Sequence, residues 1–185
     1  DTRTMVIDHH AGGSEEGDVL LIDSGASAAS EQVFRMIQEF DVEITEKIAT
    51  QIYTGIAFDT KLFKYSHPER ALRAAAELVD YGADPTWIAD ELFAHQTFET
   101  VKTLGIALAG LELHADNRIV TVSVDHETYK LEGDLDGVVD QAMSIDGVEV
   151  ALFFKEQSAG VHRVSLRSRG NIDVNVIARK FGGGG

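Results

Sequence analysis

The chain has 185 residues, 44% hydrophobic and 25% charged, enough for one large or two small domains with a real core and too mixed for a disordered tail or a fibre. Its 31 Asp and Glu against 16 Lys and Arg leave a net charge of −15, a surface that repels long nucleic acid unless metal ions or a confined basic patch reverse the field locally. Cysteine is absent, which excludes disulfides and thiolate metal sites, and no apolar stretch approaches the roughly 18 residues of a membrane helix.

Residues 4–7 form a β-branched and apolar run that predicts a buried strand ending in Asp8-His9-His10. A loop with Gly12, Gly13, Glu15, Glu16 and Gly17 leads to Val19–Ile22, a second strand. Val33, Met36, Ile37 and Phe40 then recur at helical spacing, and residues 44–57 predict a further helix that delivers Phe58-Asp59-Thr60. Next, Ser66 and Glu69 form a capping box around Pro68, Leu72, Ala75, Ala76 and Val79 supply an apolar stripe, and Gly82 stops the helix. Two more helices are expected over 85–94 and 98–113. The pattern then changes. Ile119–Val124 alternates as a strand, a helix is expected over 136–144, strands over 148–154 and Val161–Ser168, and a closing helix over 174–181 that buries Val174, Ile177, Ala178 and Phe181. This shift puts a domain boundary near residues 115–118. Trp87 and the nine Phe are expected in the core, and Arg70, Arg73 and Lys102 on helix surfaces.

Two histidines and a carboxylate at a strand end are ligand types that Mn²⁺ or Zn²⁺ accepts, and a carboxylate beside a ligand histidine can orient its second ring nitrogen. A solvated polar strand end is the equally weighted alternative. Asp59 is a lone acid after an apolar, glycine-containing run. It either finds a cation, a metal or several donors, or it caps the following turn. On Val161–Ser168, Arg163, Ser165 and Arg167 fall on one face, donor-rich and suited to phosphate, while Val164 and Leu166 on the other are expected to pack inward. Gly182 to Gly185 bare their backbone amides to close approach, or simply form a linker.

Together, Met5-Val6-Ile7-Asp8-His9-His10, Tyr53-Thr54-Gly55-Ile56-Ala57-Phe58-Asp59-Thr60, Ser165-Leu166-Arg167-Ser168 and Phe181-Gly182-Gly183-Gly184-Gly185 resemble, in order, the motifs of the DHH phosphoesterase superfamily and its DHHA1 domain. The resemblance implies an α/β protein of two domains. Residues 1–115 would be a helix-rich, parallel-sheet DHH domain without its N-terminal part, and 116–185 a smaller α/β DHHA1 substrate-binding domain cut before its end. The subgroup it resembles degrades short oligoribonucleotides and dephosphorylates 3′-phosphoadenosine 5′-phosphate, and some relatives cleave cyclic di-AMP.

Carried over, the resemblance implies that His9 and Asp59 ligate one manganese of a two-metal centre, with other divalent metals open. It implies that His10 faces the scissile phosphate as stabiliser or acid, that Asp8 supports the histidines, and that Ser165, Arg167, Gly183, Gly184 and Gly185 meet substrate. The family's other ligands, a His-x-x-x-Asp-x-Asp run and a further strand-end Asp, precede the triplet and are absent here, so about half a metal site is expected. Also implied are a cytoplasmic hydrolase and, as partners, short oligoribonucleotides or small nucleotides rather than long duplexes or a membrane, with a homodimer open. A catalytically incomplete nucleotide-binding fragment and an exopolyphosphatase-like member of the superfamily are the alternatives.

Overall fold

The computed structural model describes residues 2–10, 16–64, 68–130, 135, 137–170 and 172–184. Two compact units divide between His95 and Gln96. The capping serine Ser66 and the loop glycines Gly12 and Gly13 lie outside the described residues, as do His67 and Gly185.

In the first unit, β1 (Met5–Asp8) and β2 (Val19–Ile22) pair in parallel, from Met5 opposite Val19 to Asp8 opposite Ile22. Four helices follow: α1 (Ala29–Glu39), α2 (Glu46–Thr60), α3 (Pro68–Asp80) and α4 (Pro85–Phe93). Side-chain caps start α2 and α4, where Thr45 accepts from Ile48 N–H and Asp84 accepts from Thr86 and Trp87 N–H. Past α3, Gly82 takes φ +102°, and the amides of Gly82 and Ala83 close the helix onto Val79 and Leu78 carbonyls. Phe34, Ile52, Tyr53, Ile56, Leu78 and Ile88 form the core with alanines of α2 and α3.

The buried stripe of α3 is Ala71, Ala74, Ala75 and Leu78, one position away from the expected one, and Leu72 and Val79 are exposed. Small residues on the inner side let α3 lie close to its neighbours, so hydrophobicity alone selects the wrong face. Trp87, Phe40, Phe58, Phe98 and Phe181 are also exposed, against the expectation of core positions; of the phenylalanines, Phe34 and Phe153 are fully buried.

The second unit is a four-stranded sheet in the order β3 (Glu112–His114), β4 (Ile119–Val124), β5 (Val150–Ser158), β6 (Val161–Ser168). β4 and β5 are parallel and the outer pairs antiparallel. Helices α5 (Phe98–Ala109), α6 (His126–Tyr129), α7 (Gly137–Ala142) and α8 (Asn175–Lys180) complete it. Val120, Val122, Val138, Val139, Ala151 and Phe153 fill its core together with Ala107 of α5.

Residues 112–113, read from sequence as the end of a helix, form β3 instead. The chain turns back through Ala115, Asp116 and Asn117, all at positive φ, so that His114 pairs with Ile119. Because α5 packs into the second core, the compact units divide ahead of the boundary read from sequence. The closing helix α8 has no buried residue, and Ile177 and Phe181 stand exposed.

Candidate active site

Asp8, His9 and His10 leave the C-terminal end of β1, the end at which open parallel sheets present ligand-binding groups. The ladder stops at Asp8, so His9 and His10 escape the strict alternation of a strand and their rings lie 4.4 Å apart. His9 Nε2 sits 3.7 Å from Asp59 Oδ2 in the last turn of α2. His10 turns instead to Asp8. Its Nδ1 is 2.7 Å from Asp8 Oδ1, which also accepts from His10 N–H. The hydrogen bond from the His10 ring is the main cause holding the Asp8 carboxyl below its ordinary range. An Nδ1–H donated to that carboxylate leaves His10 Nε2 as the outward-facing nitrogen. Asp59 lies within α2, not beyond it, and Lys61, Leu62 and Phe63 follow in a left-handed turn.

Does this pair suit a divalent ion? Two donors each about 2.1 Å from one ion, at angles of about 90–120°, are about 3.0–3.6 Å apart, so a 3.7 Å separation fits two ligands of one cation with little adjustment. Both side chains are partly exposed, 21% for His9 and 36% for Asp59, so an ion can reach them. Among the described residues no group of three or more His, Cys, Asp or Glu is placed to hold a metal ion. The residues present thus fit a share of a metal site.

Sequence reasoning missed the support beneath this pair. Asp23 follows β2, and its N–H donates to the Asp8 carbonyl. Its carboxylate accepts from Arg70 at 2.8 Å and from Gly25 N–H at 2.9 Å. Arg70, expected to be an ordinary surface charge, also places Nε 2.7 Å from Glu31, a carboxylate only 1% exposed that accepts from Ser27. The signal was available: an acid directly after a predicted strand, the same pattern that marks Asp8.

Asp23 is held below the ordinary carboxylate range, chiefly by the Arg70 hydrogen bond and against the cost of burial. A carboxyl depressed in the folded state adds stability above its unfolded value near about 3.9, and that stability is lost as pH falls through the folded value. Asp23→Asn should therefore destabilise the protein at pH 7 by about 0.5–1 kcal/mol, as expected for a partly exposed pair. Melting curves should show the difference shrinking below about pH 4. A difference that persists unchanged at about pH 2.5 would count against this origin.

In the second unit, Ser165 and Arg167 of β6 stand opposite Phe153 and Ala151 of β5, and Arg163 opposite Lys155. Directly opposed residues share a face. Phe153 and Ala151 are buried, so the odd-numbered residues of β6, not Val164 and Leu166, lie on the core side of the sheet. At this edge strand the core ends, leaving Ser165 half-buried and Arg167 exposed, while Val164 on the other face is exposed too. Gly182 is at φ +76°, and the Gly183 N–H donates to Ala178 O, so these two glycines close α8. That accounts for part of the glycine run without a ligand. Gly184 follows, in open backbone.

Charge separates along the chain. Residues 155–185 carry six basic and two acidic side chains, a local +4, and the remainder carries −19.

Residues 116–185 match the DHHA1 domain family. Over 182 residues the chain is 34% identical to the bifunctional oligoribonuclease and PAP phosphatase NrnA of Thermus thermophilus, covering 97% of this chain and 55% of that protein. The protein of the same name in Bacillus subtilis is 31% identical, over 99% of this chain and 60% of that one. Residues 116–185 are thus a DHHA1 domain, and the chain as a whole is similar to DHH/DHHA1 phosphoesterases. The cyclic-di-AMP phosphodiesterase PdeA of Listeria monocytogenes, another relative, is 29% identical over all of this chain and 28% of its own length. A solved exopolyphosphatase-related protein of Bacteroides fragilis has the same fold, with a TM-score of 0.90 at 27% identity, over 99% of this chain and 56% of that one. The chain thus spans a little over half the length of the NrnA relatives it matches.

Among the described residues no helix is long and apolar enough to cross a membrane.

Proposed function

We propose that the chain serves a divalent-metal phosphoesterase acting on short phosphate diesters and monoesters of nucleotides: oligoribonucleotides of a few residues, 3′-phosphoadenosine 5′-phosphate or cyclic dinucleotides. The observation that carries this reading is the approach of His9 to Asp59 beside the Asp8–His10 pair, within a chain related throughout its length to enzymes of that description.

In this reading His9 and Asp59 hold one divalent ion, manganese by resemblance. When bound, such an ion makes a water nucleophilic at neutral pH and neutralises charge on phosphoryl oxygens. The chain's own groups do the rest. Asp8 fixes the His10 tautomer, so that Nε2 faces the substrate phosphate as a hydrogen-bond donor or acid when protonated. Ser165 and Arg167 offer a hydroxyl and a guanidinium suited to a phosphate or a nucleotide end, in a stretch of the chain whose net charge is positive. With −19 on the remainder, long polyanions are repelled, and a dinucleotide should be hydrolysed faster than a long RNA.

A second reading, a nucleotide-binding module without turnover, draws on the absence of a complete ligand cluster among the described residues. The test is hydrolysis of a diribonucleotide, 3′-phosphoadenosine 5′-phosphate, cyclic di-AMP and polyphosphate by the purified protein in Mn²⁺, with and without EDTA. Chelator-sensitive turnover of the nucleotides is expected. Binding without turnover would favour the second reading, and preferential cleavage of polyphosphate or long RNA would overturn the substrate assignment.

A further inference from the structure

Gln32 lies on α1, is 3% exposed, and sends its amide across 24 residues of sequence to the end of β1. There its Nε2 donates to the Asp8 carbonyl at 2.8 Å, and Asp23 N–H donates to the same oxygen at 3.0 Å. A carbonyl oxygen has two lone pairs, so both are filled. That carbonyl belongs to the peptide plane from which His9 departs, one residue beyond the last rung of the ladder. The strand pairing ends at this carbonyl with the Asp23 bond, and Gln32 adds a second donor to it from α1. Its own Oε1 is buried with no partner among the described residues, so the side chain bears the cost of an unmet acceptor while donating to one backbone atom.

We infer that Gln32 is a positioning residue for the metal pair, holding the Asp8–His9 peptide so that His9 meets Asp59 at ligand spacing. The inference rests on the metal-site reading proposed above. Groups that orient a metal ligand from behind typically matter by tenfold to a hundredfold in affinity. Gln32→Met keeps the length and volume of the side chain and removes the donor, whereas Gln32→Asn keeps the amide and removes its reach.

The experiment is Mn²⁺ binding by calorimetry to the 185-residue protein, alongside thermal melting. Both Gln32 variants should bind Mn²⁺ about tenfold to a hundredfold more weakly while melting cooperatively. Because Gln32 acts through His9, adding Gln32→Met to His9→Ala should weaken binding no further, a coupling that general destabilisation would not produce. Wild-type affinity in Gln32→Met, with His9→Ala weakened, would overturn the role of Gln32 alone. Additive losses would assign Gln32 to the fold and not to His9. Wild-type affinity in His9→Ala, or no Mn²⁺ binding by the wild type, would overturn the metal-site reading and this inference with it.

Discussion

His9→Ala should lower Mn²⁺-dependent hydrolysis by about 100-fold or more, given that the loss of a mere supporting group already costs tenfold to a hundredfold. It should leave the fold intact. The histidine is partly exposed and sits past the last paired residue of β1, and its described side-chain contacts are the His10 ring and the Asp59 carboxylate. It contributes nothing to the core built on Phe34, Ile52, Ile56 and Leu78, so no cavity forms when the ring goes. Asp59→Asn should fall by a similar factor, since the amide keeps the shape and loses the charge that a hard cation requires. Turnover assays beside thermal melts read both quantities. Unchanged turnover in a folded His9→Ala protein would refute the ligand assignment.

The second large effect is one of packing. In an open helix, Gly→Ala stabilises by about 0.5–1 kcal/mol through backbone entropy. At Gly55 the sign should reverse. A Cβ there would lie 1.9 Å from Ser30 Oγ and 2.9 Å from Ser30 Cβ, because α1 and α2 touch at this point. The hydroxyl can rotate away, but the Ser30 Cβ is fixed to the backbone, so the helices must separate. Overpacking of this kind typically costs about 1–3 kcal/mol. Gly55 also stands one turn before Asp59 on the same side of α2, and Ser30 two residues before Gln32 on α1. Separation of the helices therefore disturbs the site as well as the core. Gly55→Ala should lower the melting temperature and activity together, and adding Ser30→Gly should restore much of both. A Gly55→Ala protein as stable as wild type would show that the close approach is not a constraint.

The candidate site residues stand out in the sequence more than their surroundings do. Asp8-His9-His10 is readable because an apolar strand ending in three polar residues is unusual chemistry, although β1 is partly exposed and not buried as expected, and Asp59 because an acid closes an apolar run. What periodicity could not supply was the choice of face. On α3 alanines, not leucine and valine, face the core, and on β6 the arginine-bearing side shares the buried face of β5. Both outcomes depend on the neighbouring element, which sequence spacing does not encode. β3 was hidden for a related reason: three residues are too short to show a period, and their pairing is set by a left-handed turn at Ala115, Asp116 and Asn117. Arg70 and Gln32 look like ordinary polar residues of amphipathic helices. Their roles exist only once α1, α3 and the strand ends are brought together.

The proposed site stands or falls on one divalent ion shared by His9 and Asp59. Anomalous diffraction at the manganese edge, from crystals grown with Mn²⁺, tests it most directly. A manganese peak is expected about 2.1 Å from both His9 Nε2 and an Asp59 carboxylate oxygen. Manganese elsewhere, with the His9–Asp59 pair bare of density, would contradict it.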